Sequence, residues 1–354
     1  MHLRFLNLLV NGLAASLLCV SLARAADDAT PPMIAPALLE PGDTIMFVAP
    51  AGELDRQRMM LAKQRLEERG YKTKQRDDLF AVDGYLAGSD QRRSEELMQA
   101  FLDPEVDAVF PGTGGYGTMR MLDLLDYDAI RAHPKLLIGF SDITALHAAV
   151  NRQARLITYH SPNPQWGLGS EEYMEPFTEK YFFAAVEQAA HDKLAGPDGS
   201  YAVECDPSAP QPVALGSGKA RGRLVGGNLS LVAALEGTPY AIEAEGAILL
   251  IEDIREAPYR VDRMLRQLKL SGKLDQIAGA VLGQFTRAND REEDTTDDER
   301  YSVDGVLRQY FADAGIPVLM NFPVGHHRYN CALPLGGLVE VDADAGMLRV
   351  LANE

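Results

Sequence analysis

The sequence predicts an α/β protein in two successive parts, each a sheet of parallel strands covered by helices. Three observations carry that prediction. From Asp43 onward, short apolar runs alternate with amphipathic stretches of helical length, the pattern of strands joined through crossover helices. The alternation weakens between about Asn163 and Val213 and then resumes, which puts a domain boundary there. Gly112, Gly114 and Gly117 form a G-x-G-x-x-G turn between an apolar run and an amphipathic one, where a parallel strand hands over to a helix.

The elements follow in order. "TIMFVAPAG" at 44–52 is short and apolar enough for a buried strand and its turn, and "DRQRMMLAKQRLEERG" at 55–70 reads as a helix stopped by Gly70. "YKTKQR" at 71–76 is a strand, and "SDQRRSEELMQAFLDP" at 89–104 a helix capped by Ser89. "VDAVFPG" at 106–112 is the third strand, "GTMRMLDLLDYDAIRAHP" at 117–134 a helix, "KLLIGFSD" at 135–142 a strand and "ITALHAAVNRQA" at 143–154 a helix. In the weaker stretch "EEYMEPFTEKYFFAAVEQAA" at 171–190 is helical and "GPDGSYAVECDPSAPQP" at 196–212 is rich in turn formers. The second series runs through "LVGG" with the helix "NLSLVAALEG" (224–237), the strand "AILLIED" (247–253) and the helix "YRVDRMLRQLKLSG" (259–272). It continues with the strand "AGAVLGQF" (278–285), the helix "VDGVLRQYFADAG" (303–315), the strand "PVLMNF" (317–322) and the turn "PVGHH" (323–327). No segment repeats. The expected limits are a signal segment at 1–25, a linker at 26–42, domains at 43–165 and 214–354, and a connecting segment at 166–213.

Residues 1–25 join His2 and Arg4 to the apolar run "FLNLLVNGLAASLLCVSL" and to Ala23-Arg24-Ala25, a small-x-small cleavage site. This is the layout of a secretory signal peptide, and it predicts a periplasmic mature protein. The run is short, contains Asn7 and Asn11, and leads into linker-like sequence, so no membrane partner is expected after cleavage. The chain carries 34 basic and 51 acidic residues, a balance of −17; without residues 1–25, which include Arg4 and Arg24, it is −19. Such a surface repels nucleic acid and anionic lipid, and neither is an expected partner. Cys205 and Cys331 are the cysteines outside the signal segment, too few for a disulfide framework or a C-x-x-C metal site; they could pair or stay as free thiols. The acidic run "NDREEDTTDDER" at 289–300 lacks the glycine and ligand spacing of an EF-hand loop and reads as a solvated insertion.

The glycine turn admits two readings. With Asp142 at the end of the next strand, it matches a dinucleotide fingerprint. It follows the third strand rather than the first, however, and an exported protein seldom meets free NAD. Backbone N–H groups in a glycine turn can equally face a developing oxyanion.

Polar residues just past strand C-termini are the ones to question, because ligands bind there in parallel sheets. Ser141 stands in a strand-to-helix turn with Gly139 two residues earlier, as in a nucleophile elbow, although Ile143 replaces the second glycine; taken singly it is an ordinary N-cap. Glu252 ends a run too apolar to be exposed, and it could instead pair with Arg255, Arg260 or Arg263. His326 and His327 follow "PVLMNFPVG", and spacing does not choose between them. Together they supply a hydroxyl, a carboxylate and an imidazole in the chain order of the α/β-hydrolases. The types belong together because serine needs an imidazole to take its proton, and the imidazole needs a carboxylate to fix its tautomer.

Five blocks in a fixed order resemble the LD-carboxypeptidase family of serine peptidases, which includes murein tetrapeptide carboxypeptidases and microcin C self-immunity peptidases. They are "GTGGYGTMRMLDLLDYDAIRAHPKLLIGFSDITALH", "GRLVGGNLSLVAALEGTPY", "AILLIEDIREAPYRVDRMLRQL", "VLGQF" and "FPVGH…LPLGG", spread over about 44–350. The resemblance implies Ser141 as nucleophile, Glu252 and His326 as its partners, and an oxyanion hole from the backbone of Gly115 and Asp142. Thr113 departs from the arginine that many members carry before the two glycines. The family's fold implies an N-terminal Rossmann-like domain and a smaller C-terminal α/β domain, with the active site between them, in a homodimer. The implied activity needs no cofactor or metal: release of terminal D-alanine from a murein tetrapeptide or a related small peptide. A detoxifying peptidase acting on microcin-like conjugates is the alternative within the same chemistry, and a periplasmic solute-binding protein is the non-enzymatic one.

Overall fold

A computed structural model describes residues 31–288 and 298–352. The expected signal segment 1–25, and most of the acidic run 289–300, lie outside the described residues. The first alternating series forms strands β1 (Thr44–Val48), β2 (Lys72–Lys74), β3 (Ala108–Pro111), β4 (Leu136–Gly139) and β5 (Thr158–His160), all parallel. The second half contributes β6 (Tyr201–Val203), β7 (Val213–Leu215), β8 (Lys219–Asn228), β9 (Ile248–Ile254), β10 (Gly279–Thr286), β11 (Val318–Met320), β12 (Leu333–Leu335), β13 (Leu338–Asp342) and β14 (Met347–Val350). Two sheets result, in the orders β12-β5-β4-β3-β1-β2 and β6-β14-β13-β8-β9-β10-β11-β7. In the second sheet β8, β9, β10 and β11 are parallel, and the strands beyond them on both sides are antiparallel.

Local chemistry sets the helices. Asp55 Oδ1 accepts the Arg58 amide at 2.9 Å and starts the helix Arg56–Glu68, and Gly70, at φ 98°, takes the left-handed turn beyond its end. Ser89 caps Asp90–Leu102 in the same way at 3.2 Å. The helix expected over 117–134 is split into a 3-10 segment Thr118–Leu124 and a helix Tyr127–Ala132, because Asp126 caps the Ala129 amide at 2.9 Å and so begins a new helix there.

Three domain expectations change. The segment 166–213 does not merely connect: its helix Pro176–Val186 sends Phe182 against Phe110, with ring centroids 5.8 Å apart, into the core of the first sheet, while β6 and β7 join the second. Within the described part of the linker expected at 26–42, Ile34 pairs beside Leu156 and Leu39 beside Glu187. β12, from within the expected C-terminal domain, pairs antiparallel with β5 in the first sheet. The second sheet has eight strands against six, since edge strands of three to five residues carry too little periodicity to be read in advance.

A shared core joins the two sheets. Met46, Val109 and Leu146 from one half lie in a single buried apolar cluster with Leu229, Val232 and Leu249 from the other. The junction is tightest where Asn228 donates its amide to Thr144 Oγ1 at 2.9 Å. Gly227, at φ 131°, permits this approach: a Cβ there would lie 2.6 Å from the same hydroxyl. Gly227→Ala is therefore expected to lower stability by about 2 to 3 kcal/mol through overpacking and backbone strain, read as a lower urea midpoint at unchanged slope.

Candidate active site

Strand β4 ends at Gly139, and only Phe140, Ser141 and Asp142 separate it from the helix Ile143–Ala149, so Ser141 occupies a sharp turn at φ 63°. That left-handed conformation is strained for a serine and is held by its surroundings. Any side chain at Gly139 would press within 3.1 Å of Ile143, and His147 Nε2 lies 2.9 Å from the Gly139 carbonyl oxygen, bracing the turn from inside.

The glycine turn packs directly on this elbow. A Cβ at Gly114 would fall 2.9 Å from Ser141 Cβ and 3.1 Å from the Asp142 amide, so glycine is required by contact with the serine. The Asp142 carboxylate accepts the Thr118 amide at 2.9 Å, and the single Thr118 hydroxyl hydrogen is shared between the Asp142 carbonyl at 2.6 Å and the carboxylate at 2.9 Å. Burial raises the pKa of Asp142, and the Thr118 bonds only partly oppose it. This carboxyl is occupied by the loop it braces, and its burial leaves it no access to a ribose. Fully buried Arg93 holds the same end of the turn, donating to the carbonyls of Gly117 at 2.9 Å and of Pro50. Among the described residues, neither the Gly115 nor the Asp142 amide has a protein acceptor; Gly115 lines the same cleft as Ser141, and Asp142 directly follows the serine.

Glu252 lies at the C-terminal end of β9 with its side chain wholly buried. Its partners are imidazoles rather than the arginines considered above. Oε2 meets His326 Nδ1 at 2.6 Å and the His326 amide at 3.2 Å; His326 Nε2 lies 2.9 Å from Ser141 Oγ. Spacing alone left His326 and His327 equivalent and the resemblance implied His326; geometry separates them in the same sense, since His327 Nδ1 accepts the Tyr329 amide at 3.2 Å and its ring stacks on Tyr329. Burial acts against ionising Glu252, but the attraction of His326 and His160 overcomes it and holds the carboxyl far below the usual range. For His326 burial works downward, the pull of Glu252 exceeds it, and the imidazole pKa is raised. Glycines again clear the space: a Cβ at Gly325 would sit 2.6 Å from Glu252 Oε2, and one at Gly283 3.1 Å from Glu252 Cβ.

His160 was not singled out by the sequence. It ends β5, is fully buried, and brings Nε2 to 3.7 Å from Glu252 Oε1, beyond hydrogen-bond length. The signal that would have found it is the one applied to Ser141 and Glu252, a polar residue closing an apolar strand. Thr118, Thr144 and Arg93 had no such signal, because their roles depend on loops meeting across the fold.

Ser141 and His326 open onto a cleft of about 740 Å³ whose walls include Thr113, Gly115, Trp166, Arg255 and Arg287, while Glu252 stays buried behind His326. Among the described residues no group of three or more His, Cys, Asp or Glu is arranged to hold a metal ion, and no helix is long and apolar enough to cross a membrane. Cys205 and Cys331 are both free thiols. The arrangement can transfer a proton from a hydroxyl to an imidazole backed by a buried carboxylate, beside two backbone amides able to receive an oxyanion.

Comparison with known proteins agrees with this chemistry. The LD-carboxypeptidase N-terminal domain matches residues 45–161 and the LD-carboxypeptidase C-terminal domain residues 221–341, together more than half of the chain. A "Probable murein peptide carboxypeptidase" of Bacillus subtilis is 37% identical over 301 residues, covering 85% of this chain and 89% of its own. The microcin C7 self-immunity protein MccF of Escherichia coli is 29% identical, covering 88% and 94%. A solved structure of MccF with aspartyl sulfamoyl adenosine superposes with a TM-score of 0.80 at 26% identity, covering 90% of this chain and 99% of that one. The muramoyltetrapeptide carboxypeptidase of Oxalobacter formigenes superposes with a TM-score of 0.72 at 28% identity, covering 88% and 99%.

A histidine that accepts a proton must first be neutral. Because the pKa of His326 is raised, kcat/KM is expected to rise with pH through a midpoint above the ordinary imidazole value of about 6.5. Glu252→Gln removes the attraction responsible, so the limb should move to lower pH, with a loss of at least about a hundredfold in rate. A pH–rate profile of both proteins checks this.

Proposed function

The chain belongs to the LD-carboxypeptidase family, and from that premise we propose that it is a serine carboxypeptidase releasing terminal D-alanine from murein tetrapeptides. The observation that carries the reading is the chain of contacts Ser141 Oγ, His326 Nε2, His326 Nδ1 and Glu252 Oε2, assembled from both sheets at 2.9 and 2.6 Å. The bond concerned joins the L-centre of meso-diaminopimelate or L-lysine to D-alanine. Ser141 Oγ attacks the scissile carbonyl carbon while its proton passes to His326 Nε2, and Glu252 stabilises the resulting imidazolium. The carbonyl oxygen, now negative, is received by the Gly115 and Asp142 amides. Collapse breaks the C–N bond, His326 returns its proton to the departing amine, and D-alanine leaves. Water then gives a proton to His326, attacks the acyl-serine and frees the shortened peptide, restoring Ser141.

The murein reading draws on the 37%-identical B. subtilis relative and on the O. formigenes structure. A second reading draws on MccF, whose structure superposes with the higher TM-score: a peptidase that inactivates acyl-nucleotide conjugates. The solute-binding alternative gives the serine, histidine and glutamate no task. The layout of residues 1–25 supports export to the periplasm, and family membership supports a homodimer.

Ser141→Ala should lower D-alanine release from muramoyl tetrapeptide by about a thousandfold or more while substrate binding persists. Near-normal release would end the assignment. Rates on tetrapeptide and on an aspartyl sulfamoyl nucleotide, compared for the wild type, separate the two readings. A reporter fused after Ala25 and found only in the cytoplasm would refute export.

A further inference from the structure

His160 takes no part in the proton path described above, yet it stands against the end of it. The register of β4 and β5 sets it opposite Gly139, two residues before Ser141. β12 pairs on the other side of β5, with Leu333 opposite His160, so strands flank the residue on both sides. It is fully buried and does not line the cleft.

Two buried atoms here lack partners. Glu252 Oε2 receives both the ring and the amide of His326, but Oε1 has no hydrogen bond among the described residues, and neither has the His160 ring. Oε1 and His160 Nε2 are 3.7 Å apart, and Glu252 is the one carboxylate within 4 Å of that ring among the described residues. The gap leaves no room for a water on the line between them. A carboxylate oxygen and an imidazole N–H that are both buried and both unpaired are unfavourable, and each is the remedy for the other. A closure of roughly 0.8 Å brings the two atoms to an ordinary N–H···O length.

The surroundings leave the ring little else to do. Phe140 packs on both imidazoles, with centroids 5.9 Å from His160 and 4.8 Å from His326, so the wall between them is apolar. His147, on the helix Ile143–Ala149, is the other titratable group facing His160; burial lowers its pKa to about 3, and its Nε2 is engaged with the Gly139 carbonyl oxygen. It is uncharged near neutral pH and cannot replace Glu252 as a partner. Asp253 adds to the negative field at His326, but its carboxylate is occupied by the Asn228 side-chain amide and by Ser230.

We propose that His160 is a positioning residue that completes the site as a fourth member: its Nε2–H donates to Glu252 Oε1 and holds the carboxylate ionised and turned so that Oε2 meets His326. It touches neither the substrate nor the reacting atoms and acts through Glu252. The proposal rests on the serine-peptidase reading above. The sign of its effect follows from electrostatics. A donor on Oε1 draws negative charge away from Oε2, so His326 holds its proton less tightly than it would beside a carboxylate without that donor. Loss of the donor therefore moves the His326 midpoint to higher pH, opposite to Glu252→Gln, with Asp253 and His147 unaltered in both cases. Loss of packing alone moves it in neither direction.

The test compares the wild type with His160→Phe, which keeps the bulk and loses the donor, and with His160→Gln, whose amide N–H reaches a similar place. On tetrapeptide, His160→Phe should lower kcat about tenfold to a hundredfold with KM within about twofold, and shift the rising limb of the pH profile upward by about half a pH unit or more. His160→Gln should recover most of both. A fall in kcat with an unmoved limb marks a merely structural histidine and overturns the proposal, and so does wild-type behaviour of His160→Phe. Should that variant fail to fold, NMR of the wild type labelled with 15N-histidine decides: a proton on His160 Nε2 supports the donation, and a bare Nε2 overturns it. Labelling of Ser141 by a fluorophosphonate reads the nucleophile without any peptide and so separates the two readings. If the wild type is labelled but releases no D-alanine, the substrate reading falls, while slower labelling of His160→Phe with the same upward shift keeps the positioning role; equal labelling of the two proteins removes that role whichever peptide is cut.

Discussion

An ionised carboxylate deprived of all contact with water is unstable unless charge and hydrogen bonds are brought to it. Glu252 is in that position, and its 2.6 Å contact with His326 is the condition that makes it tolerable. The rest of the site follows. His326 must be delivered by the loop after β11, which crosses directly over the end of β9, and Gly325 and Gly283 are where the backbone yields the necessary space. Once the imidazole is fixed by Glu252, its far nitrogen has one place to go, and the other sheet brings Ser141 to that place at 2.9 Å.

That meeting requires the two halves to hold their relative position, and a core of side chains from both provides it. Polar contacts refine the fit. Thr144 receives the Asn228 amide one turn beyond Ser141, and at the end of the glycine turn Thr118 binds Asp142 while Arg93 holds the Gly117 carbonyl. The turn's amides are thus oriented before any substrate arrives, which is what electrostatic stabilisation of an oxyanion demands.

Much of this was legible in the sequence where a residue's own neighbours decide its fate. Ser141 and Glu252 stand at the C-terminal ends of the apolar strands β4 and β9, and His326 lies in the loop that follows β11, where the ends of parallel strands collect polar residues. Asp55, Ser89 and Gly70 mark helix ends by local hydrogen bonding and backbone freedom, and they do so here. What stayed hidden depends on distant partners. The edge strands β6, β7 and β12 have three residues each, too few to show a period. Phe182 and Phe183 look like an isolated amphipathic helix until the face of the first sheet is seen beside them. His160 closes an apolar strand as Ser141 and Glu252 do, but its place beside Glu252 depends on β9 from the other sheet. The glycine turn matched a nucleotide fingerprint because close backbone approach demands the same residue whether the visitor is a phosphate or a serine.

The return of β12 to the first sheet bears on how the polypeptide can acquire its form during synthesis. The ribosome delivers residues 44–160 early, but the partner that closes the β5 edge arrives more than 170 residues later, at Leu333–Leu335. Until then a row of unsatisfied amides and carbonyls lies open next to His160, a template for mispairing with other chains. Closure of that edge therefore waits on a strand from the far half of the chain.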